Sequence, residues 1–184
     1  VGILCDDMLA YYGDDCYLQR FGKRLAVSSR HFLDFRNDQV RQYMTETIRR
    51  MVEEYGADYI KFDYNQDCGV GTDLNALTAG KGLEDATNAY FDWLTQMHCR
   101  FPNVVFEGCA SGGNRFDLGI LSYFPQIWAS DDSDAIARIG IQNGYSYGYP
   151  QSVIGAHVSG CPNHQTLRNT PLSTRYAVAS FGVL

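Results

Sequence analysis

The chain switches repeatedly between two hydrophobic periods, and few folds accept that switching. "NDQVRQYMTETIRRMVEEYG" places Val40, Met44, Ile48, Met51 and Tyr55 at helical spacing, with Asn37 or Asp38 to cap the helix and Gly56 to end it. "ADYIKFDY" follows as a strand, and a polar loop runs from Gln66 to about Gly82. "LEDATNAYFDWLTQMHCRF" is helical again, with Leu83, Ala86, Tyr90, Leu94 and Met97 on one stripe. "NVVFEGC", "QIWAS" and "QSVIGAHVS" read as strands, and "SDAIARIGIQNGY" as a helix between the last two. "HFLDF" is a strand candidate ahead of the first helix. Residues 1–30 read as irregular, and "TRYAVASFGVL" fits helix or strand.

Strands that alternate with helices predict a parallel α/β sheet, either a (β/α)8 barrel or an open doubly wound sheet. Polar residues decide between them. They stand at the C-terminal ends of successive strands: Asp63 and Asn65, then Cys109, then Asp131 and Asp132, then His157. Barrels assemble their sites there from several strands, whereas an open sheet concentrates its site at one switch point. No GxGxxG or Walker loop follows a strand. The expected fold is therefore a (β/α)8 TIM barrel, read as one partial catalytic domain over 1–184. Val1 is no start residue and "VASFGVL" stops inside an apolar stretch, so the chain reads as truncated at both ends, roughly the C-terminal two-thirds of a barrel. The isolated chain is expected to be unstable or inactive, because an open barrel exposes strand edges.

The net charge of −6 comes with no basic stripe, which argues against nucleic acid and anionic membranes as partners. No apolar run reaches membrane length. The six cysteines form no CxxC pair, and we expect reduced thiols in a cytoplasmic protein, with a secreted origin left open.

Side chains alternate across a strand, so Tyr59, Lys61, Asp63 and Asn65 share one face, and Ile60 and Phe62 the other. Charges inside a barrel are costly. Lys61 and Asp63 must therefore compensate each other or meet a polar ligand; a structural ion pair on an edge strand is the plainer reading. In "NVVFEGC" the same parity groups Val105, Glu107 and Cys109, and Cys109 alone would pass for a small buried hydrophobe. Gly112 and Gly113 allow a tight turn and a close backbone approach to a ligand. "WASDDSDAI" holds three aspartates in four residues. Asp132 or Ser133 can cap the next helix, and Asp134 suits its dipole. The remainder suggests a carboxylate pair with Asp63, or a Mg²⁺ site. His157 and His164 lack zinc spacing and read as hydrogen-bonding residues.

"YIKFDYN", "CASGGNRFDLGILSYFPQIWASDDSDAI" and "GAHVSGCPNHQT", in this order, resemble glycoside hydrolase family 36, the α-galactosidases, from about residue 32 onward. The resemblance implies a retaining hydrolase of terminal α-D-galactosides such as melibiose, raffinose and stachyose. Asp63 matches the nucleophile and Asp131 the acid/base, with Asp132 as alternate. Lys61, Asn65 and Cys109 match galactose contacts, and Gly112 falls in the loop that lets the sugar lie close to backbone. Arg30 precedes "HFLDF", where the family has a sugar-contacting arginine, but at a shorter spacing. The family's acidic pair and tryptophan from earlier strands would lie upstream of Val1. No cofactor and no metal are implied; the partner is a small oligosaccharide, and the full-length protein is expected to be a homo-oligomer. One carboxylate attacks the anomeric carbon while the other protonates the departing oxygen, which places the two about 5–5.5 Å apart. A raffinose- or stachyose-type galactosyltransferase or an α-N-acetylgalactosaminidase would use the same site. A Mg²⁺-dependent phosphotransferase on Asp131, Asp132 and Asp134, and a silent sugar-binding protein, are the readings from other classes.

Overall fold

The computed structural model describes residues 2–3, 12–28 and 30–183. Cys5 and much of "DDMLAYYGDDC" lie outside the described residues. The chain divides into two compact units, Val1–Asp58 with Gln66–Val104, and Tyr59–Asn65 with Val105–Leu184.

Among its described residues, the first unit holds short antiparallel strands and two α-helices. Strands β1 (Gly2–Ile3), β4 (Ala26–Val27) and β5 (Arg30–Phe32) form one sheet in the order β1-β5-β4. β2 (Gln19–Arg20) and β3 (Lys23–Arg24) form a hairpin. Its turn places Phe21 at φ 53° and Gly22 at φ 70°, the double positive φ that a two-residue hairpin favours. Two expectations are corrected here. Residues 19–27 hold three two-residue strands rather than being irregular throughout, and "HFLDF" contributes to an antiparallel sheet rather than a parallel one.

Helix α1 (Asp38–Arg49) is capped by the Asn37 side chain, which accepts from the Gln39 N–H at 2.8 Å. Val40, Met44 and Ile48 are buried as the periodicity predicts. Met51 and Tyr55 are exposed instead, because Arg50–Glu54 continue as a π-helical turn that shifts the stripe. Helix α2 (Ala79–Arg100) begins four residues ahead of the expected start at Leu83. Thr78 caps it by accepting from the Lys81 N–H at 3.1 Å, and Lys81 pairs with Glu84 and Asp85 on the next turn. The Trp93 indole donates to the Thr45 hydroxyl at 2.9 Å and joins the two helices.

The second unit is a parallel sheet of β6 (Tyr59–Asp63), β7 (Val105–Cys109), β8 (Gln126–Trp128) and β9 (Ile154–Gly155), paired in chain order. Helix α3 (Ala135–Ser146) lies between β8 and β9 in sequence, and α4 (Leu172–Ala179) follows β9. "QSVIGAHVS" yields only the two residues of β9, since Gln151–Val153 form a 3-10 turn. The final segment is helix first and then a parallel bridge from Gly155 to Val183. Alternation along β6 is as read: Ile60 and Phe62 are buried, while Tyr59, Lys61 and Asp63 are exposed. Phe62 packs edge-on against Phe106, with ring centroids 5.4 Å apart.

Candidate active site

Register brings the polar residues of β6 and β7 together. Lys61 pairs with Glu107, and Asp63 with Cys109. In-register neighbours of a parallel pair project to one face, so Lys61 meets Glu107 at 3.3 Å. Lys61 therefore has a different counter-ion from the expected Asp63. Glu107 is buried, and Tyr59 donates its hydroxyl hydrogen to the other carboxylate oxygen. Burial, followed by that neighbouring carboxylate, raises the Tyr59 pKa.

Asp63 ends β6 exposed to solvent. Asn65 donates to its Oδ2 at 2.9 Å, and the Asn65 side-chain carbonyl accepts from the Ser111 N–H at 2.6 Å. Asn65 thus ties the carboxyl to the turn after β7. Cys109 is buried beside it, and burial pushes the thiol pKa up, with the hydrogen-bonded Asp63 carboxyl adding to that and the Gly112 backbone and Lys61 opposing it.

Gly112 has φ +83° and lies under the chain that follows β8. A Cβ there would sit 2.7 Å from Ser130 Cα and 3.1 Å from Asp131 N. Backbone fills the space above this glycine, so its small size serves the approach of the Ser130–Asp131 segment.

β8 stops at Trp128, and the three aspartates beyond it separate in role. Asp131 is exposed, and its Oδ1 accepts from the Trp128 indole N–H at 3.1 Å. Asp132 Oδ1 accepts from the Asp134 N–H at 3.0 Å, a turn that leads into α3. Asp134 is buried, precedes α3 without a side-chain cap bond, and pairs with Arg168 at 3.1 Å. Among the described residues no group of three or more His, Cys, Asp or Glu side chains is arranged to hold a metal ion.

The loop after β9 braces the same turn. The buried Asn163 donates to the Ser133 hydroxyl at 3.2 Å, and Gln165 accepts from the Ser133 N–H at 3.0 Å. His157 stacks on Trp128 with centroids 4.1 Å apart, and His164 is exposed. Arg30 lies in the first unit, half-buried on β5. Sequence reasoning left out Trp128, Asn163, Gln165 and Arg168. The motifs contained them, but one sequence does not show that the loop residues Asn163, Gln165 and Arg168 reach back some thirty positions to Ser133 and Asp134, or that the Trp128 indole turns to Asp131.

The melibiase family model matches residues 9–184. The chain belongs to the melibiase family. Similar proteins include probable alpha-galactosidase G of Aspergillus terreus, 47% identical over 151 residues, covering 78% of this chain and 19% of the relative. Alpha-galactosidase Mel36A of Lactobacillus acidophilus is 41% identical over 172 residues, covering 91% and 24%. A solved α-galactosidase from Lactobacillus brevis superposes with TM-score 0.81 at 39% identity, over 96% of this chain and 24% of the other. A GH36 α-galactosidase from Geobacillus stearothermophilus, solved in complex with raffinose, gives TM-score 0.80 at 34% identity over 95% and 25%. The melibiase chain thus spans about a fifth to a quarter of the length of these relatives, and its fold class is that of an incomplete (β/α)8 barrel.

Proposed function

We propose that this chain supplies the two catalytic carboxyls of a retaining enzyme that releases terminal α-D-galactose from oligosaccharides. The observation that carries the reading is the solvent-facing Asp63 at the end of β6, held by Asn65 beside Cys109, together with the family membership. Asp63 attacks the anomeric carbon and forms an ester as the bond to the departing oxygen breaks. Asp131 gives its proton to that oxygen. In the second step Asp131 takes a proton from water, the water oxygen bonds to the anomeric carbon, and Asp63 is released.

The choice of Asp131 over Asp132 is supported by exposure and bonding: Asp132 is engaged in the turn into α3, whereas Asp131 is exposed and held on one oxygen. For substrate binding we assign Lys61, Asn65, Cys109 and Gly112. Asn65 and Gly112 would contribute by fixing the turns around the sugar. Raffinose and stachyose, each bound in a Geobacillus stearothermophilus neighbour, are the substrate class we assign.

The test is hydrolysis of raffinose and of p-nitrophenyl α-galactoside, beside its N-acetyl counterpart, by the intact protein and its Asp63→Ala variant. We expect galactose release that vanishes in the variant. Full activity of Asp63→Ala, or activity on the N-acetyl substrate alone, would contradict the proposal.

A further inference from the structure

Trp128 is the last residue of β8, almost fully buried, and three positions before Asp131. Its ring is enclosed on several sides. His157 stacks on it at 4.1 Å between centroids, the Lys61 ammonium lies 4.8 Å from the ring centre, and the Arg138 guanidinium carbon 4.6 Å. Arg138 is itself buried, donating to the Gly155 carbonyl at 2.5 Å. Such a ring has little rotational freedom, and cations over an indole face add to the attraction. The indole has one polar atom, which can only donate. That N–H is directed at Asp131 Oδ1 at 3.1 Å.

Asp131 sits past the strand end on an exposed turn, where a short carboxylate side chain would otherwise sample several rotamers. We infer that Trp128 is a positioning residue for the acid/base: its indole N–H fixes one oxygen of Asp131 and so presents the other to the glycosidic oxygen. The same ring carries Lys61, which shares β6 and its solvent-exposed row with Asp63. One side chain thereby relates the acid/base to the strand that bears the nucleophile. This inference rests on the α-galactosidase reading above.

Leaving-group chemistry separates positioning of the acid from general support of the fold. A sugar alkoxide must be protonated as it leaves, whereas p-nitrophenolate departs unaided. The experiment compares kcat/KM on raffinose and on p-nitrophenyl α-galactoside for the intact protein and Trp128→Phe, alone and in an Asp131→Ala background. Trp128→Phe should lose about 10–100-fold on raffinose, as misplacement of a catalytic group does, and stay within about threefold on the aryl substrate. In the Asp131→Ala background it should leave the ratio of the two unchanged, because the group it positions is gone. If Trp128→Phe does not fold, Trp128→3-benzothienylalanine, which keeps the ring and replaces N–H by sulfur, should give the same selective loss. Equal losses on both substrates, no loss on either, or an undiminished selective effect without Asp131 would overturn the inference. A wild-type protein that cleaves neither substrate would remove the reading beneath it, and the inference with it.

Discussion

The Lys61 ammonium lies 3.3 Å from Glu107, its register partner on the neighbouring strand. A lysine beside the proposed nucleophile is thus held by a carboxylate that is itself buried. Removing the cation leaves that carboxylate with Tyr59 as its hydrogen-bond donor. We expect Lys61→Ala to cost about 1–3 kcal/mol in urea unfolding of the intact protein. Adding Glu107→Gln should recover part of the loss, since the uncompensated charge is then gone. A double variant less stable than the single one would show that the pair is not the cause.

Gly112 makes a second prediction. Its positive φ is one obstacle to any side chain, and the 2.7 Å that would separate a Cβ from Ser130 Cα is an independent second one. Gly112→Ala should lose at least about 1 kcal/mol from the backbone conformation alone. It should also lower turnover by displacing Asp131, so a thermal melt and a rate measured together check both effects.

His157 gives a pH dependence. Desolvation of its ring lowers its pKa; Glu107 opposes this, and Lys61 and Arg138 reinforce it. A folded-state pKa below the unfolded value means that the unfolded chain binds the extra proton first. Stability should therefore be fully present above about pH 6.5 and fall as pH drops from there through the folded pKa. Melting temperature followed from pH 8 to pH 5 should decline on the acid side, and His157→Gln should flatten that decline. An unchanged slope in the variant would assign it to other groups.

Thiol reactivity supplies another test. Cys109 is buried with a raised pKa, whereas Cys99 and Cys161 are exposed. Under native conditions iodoacetamide should alkylate Cys99 and Cys161 at least about tenfold faster than Cys109, as read by peptide mass spectrometry. Equal rates would contradict the packing around Asp63.

Much of the second unit was legible in the sequence because periodicity reports burial directly. The alternation of Ile60 and Phe62 with Lys61 and Asp63 set the faces of β6, and register then followed from the sheet. The partners were not legible. Lys61 joins Glu107 through strand register, which a single strand does not encode. The three aspartates were alike in sequence and diverged only through Trp128, the Asp134 N–H and Arg168, each supplied by tertiary placement. In the first unit the strands of the hairpin are two residues each, too short for alternation to register, and the Phe21–Gly22 turn was the signal available. The early start of α2 hid behind Gly80 and Gly82, which discourage a helical reading, while the Thr78 cap overrides them.

The central claim is that Asp63 bonds to galactose during turnover. The direct measurement is to incubate the intact protein with 5-fluoro-α-D-galactosyl fluoride, digest it, and locate the added mass by peptide sequencing. We predict one fluorogalactosyl group on Asp63, lost slowly as activity returns. A label on another carboxylate such as Asp67 or Asp131, or inhibition without any covalent adduct, would contradict the account.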